Sequence, residues 1–355
     1  MLRKHTSPRT LFDEQNLLDK LSKLKDPLER LSAIIDFEVF RPELESLLKK
    51  EAKGRGGRPP CDYLLMFKIL ILQRYYNFSD DNMEFQILDL MSFKRFLGVD
   101  LAHYIPDSKT IWHFRERLSK KEGGVKRLFD YFTSLLEKQG LVAHEGKMID
   151  ASFVEAPRQR NSREENKEIK AGSQLEGWGK QENKHKVAQK DIDARYTKKN
   201  NQLFYGYKDH VKADTQSKII TNYTVTSAFV HDSQTLEVLL NKKDMNQPFY
   251  AESAYTGTDH EQTISIYKMI NEVCKKGTRN HPCTEKQKQS NRKKSKTRAR
   301  VEHIFGFLEN NMNGSHIRSI GIRRADAIGL MNLTYNLFGT AQLYKINGRG
   351  TPCWS

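Results

Sequence analysis

Apolar positions recur along the chain with two different periods, and the period changes near Gly146. Before that point the spacing is helical. Leu28, Leu31, Ile34 and Ile35 lie on one stripe. The preceding Asp26-Pro27-Leu28-Glu29 offers a capping residue, a proline at the first helical position and a glutamate close behind. A basic, glycine-rich joint follows at Lys53-Gly54-Arg55-Gly56-Gly57-Arg58 and closes on Pro59-Pro60. The next apolar helix is predicted from about Asp62 to Tyr76. Ser79 and Asp80 can cap another, running through Phe85 and Leu88. A short piece opens near Ser92-Phe93 and ends near Leu97-Gly98. Pro106-Asp107-Ser108 starts a helix over Lys109 to Leu118. Short helices, tight turns and basic residues between aromatics fit a helix-turn-helix DNA binder and an ordinary helical bundle equally well.

After Gly146 the alternation becomes strand-like. Lys147 to Val154 places Met148, Asp150 and Ser152 on one face and Ile149, Ala151 and Phe153 on the other. Residues 156–200 are polar, with 12 Lys/Arg against 7 Asp/Glu, and are expected to form a long loop or insertion. Leu203 to Lys212 and Ile219 to Ser227 read as two strands joined by a turn at Asp214-Thr215-Gln216-Ser217. Ser233 to Leu240 reads as a helix, and Pro248 to Ala254 as a buried strand end. A helix is expected from about Lys296 to Asn310, with Val301, Phe305 and Leu308 on one stripe. A last apolar helix is expected from Ala325 to Tyr344, and residues 346–355 as a frayed tail. No internal repeat is visible. The pattern predicts an all-helical domain over residues 1–140 and an α/β domain with a mixed sheet over 141–345.

Charge narrows the class of partner. Lys and Arg number 60 and Asp and Glu 44 in 355 residues, a net charge of +16, which points to a polyanion. The hydrophobic share, 37% with 18 Phe and 14 Tyr, excludes a disordered basic tail. The longest apolar run, Tyr63 to Leu72, contains Lys68 and is too short to span a bilayer, so no membrane is expected. The first residues, MLRKHTSPRTLFDEQ, lack the apolar core of a signal peptide. Cys61, Cys274, Cys283 and Cys353 form no CxxC pair, so neither a disulfide scaffold nor a structural zinc site is expected. These features predict a reducing, cytoplasmic setting. No GxxxxGK[ST] segment implies ATP, and the histidines show no zinc spacing.

Three acids stand out by position. Asp150 lies mid-strand, where an acid needs a partner. Glu252 lies at another strand end, and Glu302 lies beside the stripe of the late helix. Acids from distant segments can converge on hard cations. Two such ions about 3.5–4 Å apart would serve phosphodiester chemistry. Each acid also has a plainer reading: an edge-strand polar residue, a strand end facing water, and a surface acid paired with Arg298 at i−4. Spacing alone does not single these three out of 44 acids. His231-Asp232-Ser233 offers either a fourth acid or a helix cap. Tyr205, Tyr207 and Lys208 fit DNA contact or a half-buried strand face. Tyr255 fits base stacking or core packing. Residues 275–300 carry 11 Lys/Arg and one acid, Glu285, a balance suited to phosphate.

Several segments together resemble the insertion-sequence transposases of the DDE class, closest to the insertion sequence 5 group. They are GRPPCDYLLMFKILILQRYYNFSDDNMEFQI, IPDSKTIWHFRERL, IDASFVEAPRQRN around Asp150, and DARYTKKNNQLFYGYKDHVKAD from Asp193. VHDSQTLEVLL from Val230, YAESAYTG from Tyr250 and RARVEHIFGFLE from Arg298 complete the set. The resemblance covers roughly residues 40 to 345. It implies an RNase H-like catalytic domain, a mixed sheet flanked by helices, behind an N-terminal all-helical DNA-binding domain. It implies a transposase that cleaves DNA at its element's terminal inverted repeats and transfers the freed strand to target DNA.

By matching motifs, Asp150 is implied as the first catalytic acid and Glu302 as the third. The second family acid is an Asp in a motif like ADSAYTG, and this chain has Glu252 there. The three would hold Mg²⁺ or Mn²⁺, two ions being expected. A glutamate keeps the charge but is one methylene longer, so an inactive copy that only binds the repeats is the alternative reading. Arg298 matches the arginine of the terminal motif, which implies a DNA phosphate contact or a hold on Glu302. With it, Arg300, Lys296, Lys294, Lys293, Arg292 and Lys208 are the expected DNA contacts. The family often has Tyr and Lys or Gln where this chain has Ser295 and Glu309, so end contacts by those two are not carried over. The implied partners are double-stranded DNA and a second copy in a synaptic homodimer, nucleoid-associated when bound.

Overall fold

The computed structural model describes residues 12–49, 60–100, 104–121, 123–158, 162–171, 190–199, 201–277, 282–319, 326–347, 352 and 354. The chain forms two compact units. One comprises Met1–Gln73, Phe78–Arg115 and Ala341–Ser355; the other comprises Arg74–Asn77 and Glu116–Thr340.

The described part of the first unit is helical. It holds α1 (Asp13–Lys23), α2 (Pro27–Ile34), α3 (Arg41–Leu48), most of α4 (Tyr63–Tyr75), α5 (Asp80–Asp89), α6 (Met91–Leu97) and the start of α7 (Ser108–Lys120). The helix ends follow the capping chemistry of the sequence. The Asp26 carboxylate accepts from the Leu28 amide, and the Ser79 hydroxyl accepts from the Asn82 amide. Gly98, in the left-handed region at φ 73°, closes α6. The core is aromatic: Phe37 meets Phe96 edge-on at 5.4 Å, and Phe40 meets Phe67 at 4.9 Å. Lys68, the one charge in the long apolar run, lays its ammonium over the Phe96 ring at 4.7 Å. The expected tail is not all loose. Trp354 is buried, and its indole N–H donates to the carbonyl of Ile34 at 2.6 Å.

In the second unit, α8 (Gly124–Lys138) precedes a six-stranded mixed sheet. Its strands are β1 (Lys147–Glu155), β2 (Arg195–Lys199), β3 (Gln202–Asp214), β4 (Ile220–Ser227), β5 (Pro248–Tyr250) and β6 (Ile270–Asn271). The long β3 runs antiparallel to β1, β2 and β4, while β1 pairs parallel with β5, and β5 with β6. Antiparallel strands continued by parallel ones across β1, with helices on both faces, make the domain RNase H-like. Gly206, at φ 150°, lies tight against β1; a Cβ there would stand 2.3 Å from the Val154 carbonyl oxygen.

Register assigns the faces. Asp150 opposes Val211 and Ser152 opposes Asp209, so these four share a face. Asn332 of α14 (Asp326–Asn347) donates to Asp209 at 3.0 Å, which places that helix on the same face. On the opposite face Ile149 joins a cluster with Leu236, Leu239, Phe249, Tyr255 and Ile264. Those residues come from β5, the turn after it, α10 (Leu236–Leu239) and α11 (Thr258–Ile266).

Four further sequence expectations are corrected. The polar stretch 156–200 holds structure in its described parts: α9 (Arg163–Ala171), and β2 paired with β3. Its residues 172–189 lie outside the described residues. The strand expected to Ala254 stops at Tyr250 and gives way to a 3-10 turn, Ser253–Tyr255. The expected helix over 233–240 is a 3-10 turn, Asp232–Thr235, followed by α10. The single helix expected over 296–310 is two: α12 (Glu285–Arg298) and α13 (Arg300–Met312), which meet at Ala299. Apolar periodicity missed α12 because none of its residues is buried. Among the described residues no helix is long and apolar enough to cross a membrane.

Candidate active site

The three acids singled out in the sequence meet at one side chain. Asp150, mid-strand in β1, accepts from the Ala151 amide through Oδ1 at 2.8 Å and from Arg298 Nη1 through Oδ2 at 2.8 Å. Glu252, two residues beyond β5, brings Oε1 to 3.1 Å from the same Nη1. Glu302, in the first turn of α13, brings Oε1 to 3.8 Å from Arg298 Nη2. Strand β1 supplies the first acid, the exit from β5 the second and α13 the third. The Arg298 guanidinium, the last residue of α12, bridges all three.

The electrostatics are uneven. Burial pushes the Asp150 carboxyl up to about 6; the Ala151 amide and Arg298 pull it down, and the charges of Glu252 and Asp232 add to the rise. Glu252 and Glu302 are open to water. Asp232 is close enough to act on Asp150, yet its Oδ1 accepts from Lys208 Nζ at 2.8 Å. Its neighbour His231 caps the turn, receiving the Ser233 amide. The trio thus divides its work: His231 caps, and Asp232 holds Lys208.

The other expected site residues separate into two groups. Arg292, Lys293 and Lys296 lie exposed on α12. Lys294 donates to the Val273 carbonyl and pairs with Glu272, and Arg300 donates to the Thr215 carbonyl. Lys208 is nearly buried, bound to the Val230 carbonyl and Asp232, with its ammonium 5.1 Å from the Phe153 ring centre. These three each give at least one donor to the protein itself. Tyr207 is fully buried, its hydroxyl on Asp191, and Tyr205 packs on Tyr196 at 4.5 Å. Tyr255 is buried against Phe249. For all three tyrosines the packing reading describes the observed surroundings.

Two residues near the site carried no signal in the sequence. His210 is sealed in β3, with Nε2 on the Thr226 hydroxyl at 2.8 Å, and burial pulls its imidazole down to about 4. Asp209 is wholly buried against Asn332. The alternation of β3 foreshadows a two-sided strand, but not which polar residues are enclosed.

Three carboxylates are hard oxygen donors, the kind that Mg²⁺ and Mn²⁺ select. They already gather around a positive charge, so the residues fit a divalent cation in kind. Among the described residues, no group of three or more His, Cys, Asp or Glu side chains is arranged to hold a metal as it stands. The acids are joined through Arg298.

Two family models match the chain. The family model described as Transposase domain (DUF772) matches residues 15–117. The model described as Transposase DDE domain matches residues 143–337. Among solved structures, a cryo-electron-microscopy structure of a piggyBac transposase synaptic complex with hairpin DNA is similar over 98% of this chain and 78% of that one. Its identity is 13% and the TM-score 0.45, too distant to carry residues across. The DDE match spans more than half of the chain and includes Asp150, Glu252, Arg298 and Glu302. The chain therefore belongs to the Transposase DDE domain family.

Proposed function

We propose that this transposase cleaves DNA at the terminal inverted repeats of its own element and joins the freed 3′ end to target DNA, with Asp150, Glu252 and Glu302 as the reacting acids. The observation that carries this reading is the convergence of those acids, from three elements, on one guanidinium. Bound between them, two divalent cations, Mg²⁺ or Mn²⁺, would activate the attacking oxygen and stabilise the leaving one. Asp150 is fixed by its strand and by the Ala151 amide, so its carboxylate is pre-oriented. Glu252 and Glu302 face water and can turn toward an arriving cation. The exposed Arg292, Lys293 and Lys296 of α12 would hold the backbone phosphates, with Arg298 at the end of the same helix. No nucleophilic side chain and no covalent protein–DNA intermediate are required. The helical first unit would recognise the repeats, and two copies would pair the two ends. By the resemblance of the quoted motifs, the element would belong to the insertion sequence 5 group.

Glu252 supports a second reading, a copy that binds its repeats without cutting. The extra methylene of glutamate would then misplace the second carboxylate. The geometry favours the active reading, because Glu252 reaches the guanidinium within 0.3 Å of the distance at which Asp150 does (3.1 against 2.8 Å). The test is a cleavage and joining assay on DNA carrying the element's own ends, in Mg²⁺ and in Mn²⁺. Wild type should form joined product, and Asp150→Ala should lose at least about a hundredfold of it. Product from Glu252→Asp with none from wild type would establish the silent copy. Product from Asp150→Ala equal to wild type would remove the acids from the chemistry.

A further inference from the structure

Around Arg298 the charges do not balance. One guanidinium, 15% exposed, faces Asp150, Glu252 and Glu302 at 2.8, 3.1 and 3.8 Å. Three acids against one cation leave two negative charges over. Among the described residues no second Lys or Arg pairs with any of the three. Asp232, whose charge also reaches Asp150, is already paired with Lys208.

We propose that Arg298 is an exchangeable counter-ion: it holds the centre of the acid set while no divalent cation is bound, and moves to a DNA phosphate when one enters. The inference rests on reading the three acids as cation ligands. Three features of the site carry it. The guanidinium stands where the carboxylates converge, so a cation drawn to all three meets it there. Arginine does not vacate a site by losing its proton, so it leaves only by moving. It also ends α12, beside the exposed Arg292, Lys293 and Lys296, and the chain turns into α13 at the very next residue. A terminal residue can swing while the helix behind it stays formed. The fork of the guanidinium suits a phosphate as well as it suits a carboxylate.

Such an exchange couples two ligands. A cation that displaces Arg298 frees it for phosphate, and a phosphate that captures Arg298 clears the acids for a cation. By linkage each raises the affinity of the other by the same factor. The acids would then be armed chiefly when DNA is present. A fixed arginine that only orients Glu302 predicts the reverse: its removal would loosen the acids and weaken cation binding.

The test is a Mn²⁺ titration of the full-length protein without DNA, followed by the electron paramagnetic resonance signal of free Mn²⁺. Arg298→Gln should bind Mn²⁺ more tightly than wild type, on the order of tenfold for removal of a facing charge. Arg298→Lys should fall between the two, and the rise in Tm produced by Mn²⁺ should be larger in Arg298→Gln. Equal or weaker Mn²⁺ binding by Arg298→Gln overturns the exchange. If that variant does not fold, Arg298→Lys decides, and binding no tighter than wild type overturns it. Asp150→Asn separates the two layers: if it binds Mn²⁺ as wild type does, the acids are not the ligands and the proposed function falls. If it loses the tight site while Arg298→Gln gains nothing, only the exchange falls. Adding a short DNA duplex should raise the Mn²⁺ affinity of wild type and leave that of Arg298→Gln unchanged; no rise in wild type overturns the coupling.

Discussion

Lys212 and Asp244 are sealed in the second unit, with side chains 0% and 2% exposed, one cation to one anion. Lys147 and Asp214 repeat the arrangement at 1% and 0%. Around Arg298 three acids share one cation, and two of them, Glu252 and Glu302, are 51% and 66% exposed. Both regions are built from basic and acidic side chains on one sheet and its flanking elements. They differ in stoichiometry and in water. A sealed charge must be matched within the protein, because desolvating it alone costs several kcal/mol. An open acid is screened, so excess negative charge can persist without wrecking the fold. The imbalance at Arg298 therefore marks a place that accepts positive charge from outside, and the balance at Lys212 marks framework.

The contrast is sharpest at Lys212. Burial pulls its ammonium down to about 8 despite the nearby Asp244. Lys212→Met leaves Asp244 buried without its cation and should lower unfolding free energy by about 3–5 kcal/mol, read from urea denaturation. Adding Asp244→Asn should recover most of the loss; no recovery would mean that shape, not charge, governs that region.

Asp209 is intermediate, a buried acid whose named partner is an amide. Burial pushes its carboxyl up to about 7, although the Asn332 amide donates to it and pulls the other way. Its Oδ2 and the Oδ1 of Asn332 are both buried without a hydrogen-bond partner, and a proton on Asp209 offers a donor where both oxygens only accept. The folded-state value lies above the unfolded one, about 3.9, so the folded chain holds the extra proton. This contribution is full below about pH 4 and is lost as pH rises through about 7. In that window stability should fall by up to roughly 1.4 kcal/mol per pH unit from this group, and Asp209→Asn should flatten the slope. An unchanged slope in denaturation at several pH values would show that Asp209 is ionised in the fold.

The smallest effect on stability belongs to the open set. Glu302→Gln should change unfolding free energy by less than about 0.5 kcal/mol, since surface pairs contribute little. The same variant should still lose strand joining. A large drop in stability would move Glu302 from the site into the framework and erase the contrast.

How much of this the sequence discloses depends on what each element buries. Strands β1, β3 and β4 were legible because apolar residues alternate along them. Helix α2 was legible from its apolar stripe and its capping residues, and α4 from its long apolar run. Helix α12 was not, having no apolar face to betray it. Its start did leave a trace, for Thr284 and Gln287 form a capping box that charge counting passed over. Strand β2 lies in a polar stretch and is defined by pairing with β3, a long-range fact that local pattern does not contain. Of the site, Glu252, Glu302 and Arg298 were named through the motifs they match, and Asp150 was visible as an acid mid-strand. The meeting of three acids on Arg298 was not, since sheet order and the turn at Ala299 bring them together. The closure of Lys208 by Asp232 was equally hidden, because a lysine on a strand reads the same whether it faces water or a carboxylate.

The indole of Trp354 satisfies a carbonyl at the end of α2, more than three hundred residues upstream. Chains are synthesised from the N-terminus at about 5–20 residues per second, and segments fold as they emerge. Here the unit begun first is completed last. The ribosome has delivered every acid of the site before it delivers the residue that seals Ile34. A stop codon or frameshift between Asn310 and Trp354 would thus spare the whole acid set and leave the Ile34 carbonyl without its indole donor.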